Sequence, residues 1–265
     1  CGFTMGGFAT PDTVVSDPQT SRLYVSNING SPIARDGNGF ISMLYPDGRP
    51  FDMHFIRSGR NGVHLHAPKG MALSGNHLYV ADLAQVHRFD KTTGNLNGTI
   101  DLGLLGATNL SGLALSSEGH LFVSDPKSNT IYKIDTMHQD QVSIVVKDKA
   151  LRQPMALLYD ATHKRLLVGS WDRGGLVFVD GKGKVFSLLQ KQFNRVKGLH
   201  FDRHGHLVFS DLVKGKIYRL RGYETLEVVR DNLVTPGNFG LDRNLRRMVI
   251  PSYRGNIVFS TPLPD

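Results

Sequence analysis

Lys69 and Lys197 each stand directly before a glycine at the same place in a recurring apolar pattern, and His66, Arg152 and Arg195 lie just upstream of such runs. Cationic groups gathered over a cleft focus the field and attract a carboxylate or a phosphate. The competing reading pairs each lysine with an acid of its own repeat, since Asp82, Asp125 and Asp211 close the neighbouring runs. Both readings stand at this point. Ser170-Trp171-Asp172 places the chain's single tryptophan just after one of these runs, where its ring could stack on a ligand or simply pack over a seam. His64-x-His66 and His204-x-His206 would put two imidazoles on one face of an extended chain. Two histidines without a third ligand do not make a zinc site, so they read as ordinary loop residues. The glycines of Asp36–Gly39 follow no strand-to-helix passage and form no phosphate loop, and no Ser-His-Asp or Cys-His arrangement can be placed.

The elements that must carry these residues repeat. Leu23–Asn27, Leu78–Asp82, Leu121–Asp125, Leu166–Ser170, Leu207–Asp211 and Met248–Ser252 all read as Leu or Met, apolar, apolar, small, polar. Their first residues lie 55, 43, 45, 41 and 41 positions apart. A period in the forties with several strands per unit is the signature of a β-propeller. Within the fifth unit, Val196–Asp202, His206–Asp211, Lys216–Leu220 and Leu226–Arg230 are four β-rich runs separated by turn residues. No window keeps an apolar stripe at helical spacing, so almost no helix is expected. The sequence therefore predicts an all-β, six-bladed β-propeller with four-stranded antiparallel blades, a single domain over residues 9–265. The last unit stops without a fourth run. Residues 1–8, with Gly2–Phe8 spare ahead of the first inner strand, are expected to supply that ring-closing strand or to act as a tether.

The chain of 265 residues carries a net charge of +8, but its basic residues are scattered over turns with no polybasic run, which argues against nucleic acid as a partner. No stretch approaches the roughly 18 apolar residues of a membrane-spanning helix. The single cysteine is Cys1. That position suggests a lipid-bearing cysteine of a mature bacterial lipoprotein, with the propeller tethered to the outer membrane and facing the periplasm. No intramolecular disulfide can form.

Pro11–Pro18, Leu23–Gly30, Asp36–Ser42 and His66–Met71 followed by Leu78–Asp82 resemble the bacterial branch of the senescence-marker-protein/gluconolactonase superfamily of NHL-type six-bladed propellers. The resemblance covers essentially the whole chain. It implies the propeller fold and, for several members, a lactonase dependent on Ca²⁺ or Zn²⁺, with Glu, Asn and Asp ligands at the start of the innermost strands. At those positions this chain offers Asp12, Lys69, Ser111, Met155, Lys197 and Asn238. A hard cation needs several converging oxygens, and two ammonium groups and a thioether do not supply them. The expectation is therefore no cofactor, no catalytic residues and no metal, with Asp12 as the one surviving ligand if Ca²⁺ or Zn²⁺ binds after all. Three functions follow as expectations. The first is a non-catalytic periplasmic propeller that presents its channel rim to a protein or envelope partner. The others are a lactonase-type hydrolase and a binder of a small anionic ligand at the basic channel mouth.

Overall fold

The computed structural model describes residues 2–191 and 193–263. It contains 24 strands in six four-stranded antiparallel sheets arranged as a six-bladed propeller. The first blade is β2 (Pro11–Ser16), β3 (Leu23–Asn27), β4 (Phe40–Leu44) and β5 (Pro50–Arg57). The second is β6 (Pro68–Ser74), β7 (His77–Asp82), β8 (Gln85–Asp90) and β9 (Leu96–Asp101), and the third is β10 (Leu113–Leu115), β11 (His120–Asp125), β12 (Thr130–Asp135) and β13 (Gln141–Lys147). The fourth holds β14 (Pro154–Asp160), β15 (Arg165–Ser170), β16 (Leu176–Val179) and β17 (Val185–Leu189). The fifth holds β18 (Val196–Phe201), β19 (Leu207–Asp211), β20 (Lys216–Arg221) and β21 (Thr225–Arg230). The sixth is β22 (Gly240–Asp242), β23 (Arg247–Ser252), β24 (Ile257–Pro262) and β1 (Thr4–Met5). The helical segments among the described residues are single 3-10 turns.

Each sheet buries both faces against its neighbours, as an array of small sheets must. Tyr79, Val86 and Leu102 of the second blade interlock with Leu121, Tyr132 and Ile134 of the third. Leu167 and Leu176 of the fourth meet Phe193, Phe209 and Tyr218 of the fifth, where the Phe193 and Phe209 rings pack edge to face with centroids 4.8 Å apart.

The small residue of the repeated pattern alternates in kind around the ring: Ser26, Ala81, Ser124, Gly169, Ser210, Pro251. The three serines make the same double bond. Ser26 Oγ accepts from Thr13 N–H (3.1 Å) and donates to Lys69 O (2.7 Å). Ser124 Oγ accepts from Gly112 N–H (2.8 Å) and donates to Met155 O (2.9 Å). Ser210 Oγ accepts from Gly198 N–H (2.8 Å) and donates to Gly237 O (3.0 Å). Each buried hydroxyl thus ties the inner strand of its own blade to the chain entering the next, at odd-numbered blades only.

The ring closes at two radii. On the inside, Asn238 N–H donates to Asp12 O and Val14 N–H to Asn238 O, both at 2.9 Å, which joins the sixth blade to the first. On the outside, Thr4 and Met5 pair with Phe259 and Val258, and Phe3 exchanges hydrogen bonds with Ser260. The paired strand covers two residues only, and Gly6 and Gly7 follow it at once. Cys1, and with it the lipidation expectation, lies outside the described residues. Among those residues no helix is long and apolar enough to cross a membrane.

Candidate binding site at the channel mouth

The innermost strands are not regular where they enter the channel. Their pairing with the second strands shifts between Pro11 and Thr13, Pro68 and Met71, Pro154 and Ala156, and Val196 and Leu199. The residues inside these β-bulges are Asp12, Lys69 with Gly70, Met155, and Lys197 with Gly198. A bulge adds an unpaired residue and re-aims its side chain, so these irregularities turn one side chain per blade into the cavity. Gly70 and Gly112 follow for a steric reason. A Cβ at either would fall well inside contact distance of the next blade's backbone, the Ser111 and Met155 carbonyls respectively.

These side chains line a cavity of about 450 Å³ that brings together Asp12, Lys69, Ser111, Met155, Lys197 and Trp171. Asn238 and His66 do not line it. Asn238 serves in ring closure through its backbone, and His66 Nδ1 accepts from Gly37 N–H at 3.1 Å in the loop beside the mouth. Arg152 lines a separate surface hollow with Leu176 and Phe186, while Arg195 lines the mouth. The two His-x-His pairs gather no third ligand, and among the described residues no three His, Cys, Asp or Glu side chains converge on a possible metal position.

The residues that sequence reading missed follow one rule. The position just after the second strand forms the rim in five of the six blades: Ile28, Pro126, Trp171, Leu212 and Tyr253 line the cavity, and Lys127 and Arg254 one step further add charge. Trp171 was the visible instance of a register that repeats in five of the six blades. Its loop is held by Trp171 N–H donating to Gln153 O (2.8 Å), and the Arg195 guanidinium lies 4.4 Å from its ring centroid.

Charge inside the cavity is one-sided. Lys69, Lys127, Arg195, Lys197 and Arg254 face it against the single carboxylate of Asp12. That carboxylate is committed: Lys197 Nζ lies 2.7 Å from Oδ1, and Thr13 Oγ1 donates to Oδ2 at 2.8 Å. The Lys197 contact is an ion pair whose geometry falls short of an aligned hydrogen bond, so Oδ1 keeps acceptor capacity. All three of Asp12, Lys69 and Lys197 are buried, at 1%, 3% and 5% exposed. Lys69 Nζ donates to the O of Ala67, the residue just before its own strand, at 3.1 Å and has no carboxylate within ion-pair distance among the described residues. Burial pulls its pKa down to about 8, and the Lys197 charge pushes in the same direction against the pull of Asp12. Tyr253 is shifted the other way, up to about 12, by burial and then by Asp12, so its phenol stays protonated and able to donate.

The acids expected to neutralise the lysines do other work. Asp82 accepts from His66 and Ala67 N–H (2.8 and 2.7 Å), Asp125 from Thr108 N–H (2.9 Å), and Asp211 from Asn194 N–H (2.7 Å). Each fastens the loop that leads into its blade. The lysine partner is instead Asp12, from a blade on the far side of the ring closure. The structural ion pair thus accounts for one lysine and not the other: Lys197 is paired with Asp12, and Lys69 is left over.

No family model and no curated protein matches the chain. Solved structures do match. Virginiamycin B lyase from Staphylococcus aureus aligns over 100% of both chains at 11% identity with a TM-score of 0.67. A streptogramin B lyase structure aligns over 98% of this chain and 97% of its own, at 10% identity and a TM-score of 0.63. A protein of unknown function from Bacteroides thetaiotaomicron aligns over 98% of this chain and 75% of its own, at 10% identity and a TM-score of 0.72. At such identities the likeness bears on the fold alone, and the chain is a β-propeller similar in architecture to these proteins.

Proposed function

We propose that this protein is a binding propeller that holds a small organic anion at its channel mouth without a metal ion. The observation that carries the reading is the imbalance of five cationic side chains against one carboxylate already paired with Lys197, in a cavity of about 450 Å³. A cation at Asp12 would have to displace the Lys197 ammonium and sit beside the Lys69 ammonium. At about 4 Å and an effective dielectric near 20 each such contact costs about 4 kcal/mol. An anion gains from the same charges. The rest of the lining, Ile28, Pro32, Pro126, Met155, Trp171, Leu212 and Tyr253, suits an acid with an apolar or aromatic body.

Calorimetric titration with a panel of aryl and alkyl carboxylates and phosphate monoesters tests the proposal. Saturable one-to-one binding of at least one acid, weakened about tenfold by Arg195→Ala through loss of a charged contact, is expected. Heats no different from buffer for every acid, or binding unaffected by that substitution, would refute it.

A further inference from the structure

Lys69 differs from the other cations of the cavity. Lys127, Arg195 and Arg254 are exposed, Lys197 is held by Asp12, and Lys69 is buried with its Nζ, among the described residues, on a backbone carbonyl only. A primary amine that faces a cavity, lacks a carboxylate partner and lies near a second ammonium is the arrangement that favours free amine over ammonium and so makes a nucleophile. We infer that Lys69 is an imine-forming nucleophile and that the anion it meets is a 2-oxo acid; this rests on the anion site proposed above.

The chemistry balances without an external oxidant or reductant. The unprotonated Nζ attacks the 2-oxo carbon, a C–N bond forms as the C=O π pair moves to oxygen, and one N–H proton passes to that oxygen to give a neutral carbinolamine. The hydroxyl, protonated by the Lys197 ammonium, then leaves as water while the nitrogen lone pair forms the C=N bond, and the remaining N–H proton returns to the Lys197 amine, leaving the imine. Lys197 can donate the proton to the departing hydroxyl, and the acid's carboxylate finds Arg195 and Arg254 at the rim. Tyr253, protonated at neutral pH, is a further donor to that carboxylate or to the carbonyl oxygen. With its pKa near 8, Lys69 holds roughly a few-hundredfold larger share of free amine at neutral pH than an ordinary lysine.

The test incubates the full chain with glyoxylate and cyanoborohydride, which reduces an imine to a stable carboxymethyl-lysine, and locates the adducts by peptide mapping over time. Lys69 is expected to be labelled at least about tenfold faster than the exposed turn lysines Lys182 and Lys184, given its larger free-amine share. Excess oxalate, an anion of similar shape with no reactive ketone or aldehyde, should protect it. Lys69→Met should lose this adduct alone, and the wild-type map decides the matter should that variant not fold. Labelling of Lys69 no faster than of Lys182 overturns the inference. If oxalate still binds by calorimetry in that case, the anion site survives and only the imine fails. Fast labelling without oxalate protection keeps the imine and removes the anion site.

Discussion

Asp12 is the residue on which the site turns, since it is the cavity's one carboxylate and the partner of Lys197. Removing one member of a buried pair strands the other charge, so Lys197→Met should destabilise the fold by about 3 kcal/mol. The double variant Asp12→Asn/Lys197→Met should recover most of that loss. Urea unfolding of the wild type and the two variants measures both, and a double variant no better than the single would show that the pair is not the source. A second group of residues sets the acid limit. Burial opposes ionisation of Asp17, Asp82 and Asp160, but hydrogen bonds outweigh it and hold all three pKa values below the usual carboxylate value. The donors are Gln19 N–H and Lys91 for Asp17, His87 and two backbone N–H groups for Asp82, and Arg165 and His163 for Asp160. A depressed folded pKa means stability that is complete above the unfolded value of about 3.9 and lost as pH falls through the folded one. The His200 imidazole, held down to about 4 by burial, resists the proton that the unfolded chain takes up near 6.5, so the urea midpoint should begin to fall below about pH 6.5 and fall further below about pH 4 as the carboxylates protonate; a flat profile down to pH 3 would contradict this. Of the site, sequence made Asp12, Lys69, Ser111, Met155, Lys197 and Trp171 legible. The identity of the lysine's partner was not, because Asp12 and Lys197 are 185 positions apart and meet only after the ring closes.

At the scale of the strand, the β-bulge does what alternation alone cannot. A regular inner strand would turn Asp12 and Thr13 to opposite faces, whereas the register shift frees Asp12 for the cavity while Thr13 N–H bonds to Ser26. Period-two reading finds the strands but not the bulges, so alternation gave the blade boundaries, while the channel-mouth positions came from the family resemblance and not from the period. The serine ties form the other strand-level device. Ser124→Ala leaves Gly112 N–H and the Met155 carbonyl short of a partner in a buried place and should cost about 1–3 kcal/mol. Ser124→Gly/Gly112→Ala would be worse, since the added methyl meets the Met155 carbonyl. Chemical denaturation of the Ser26, Ser124 and Ser210 alanine variants should give losses of the same order at all three. A loss confined to one blade would show that the repeated geometry is not a repeated contribution.

The whole ring is stapled by its first few residues. Phe3, Met5 and Phe8 pack with Val14, Leu44, Val249 and Val258 across the seam, and the Arg247 guanidinium lies 5.4 Å from the Phe3 ring centroid. Deleting residues 2–8 removes this apolar contact and leaves β24 as an open edge. Losing the buried Phe8 costs about 3–5 kcal/mol and the partly buried Phe3 adds to that, while an unpaired edge strand invites association. The shortened protein should melt well below the full chain and scatter light on warming; unchanged melting would mean that the inner bonds of Asn238 close the ring by themselves. The six-fold repeat made the architecture legible from spacing alone. The function was not, since a propeller scaffold hosts many activities and only the side chains at its mouth distinguish them. Trp171, the single tryptophan, stands at that mouth and reports on it. The most direct measurement is therefore a titration of Trp171 fluorescence with an aryl carboxylate at low ionic strength, run with chelator and again with added Ca²⁺ or Zn²⁺. The anion-site account predicts a saturable change that is the same with chelator and with either metal and that weakens as salt is raised. A change that appears only when the metal is supplied, or none at all, would contradict it.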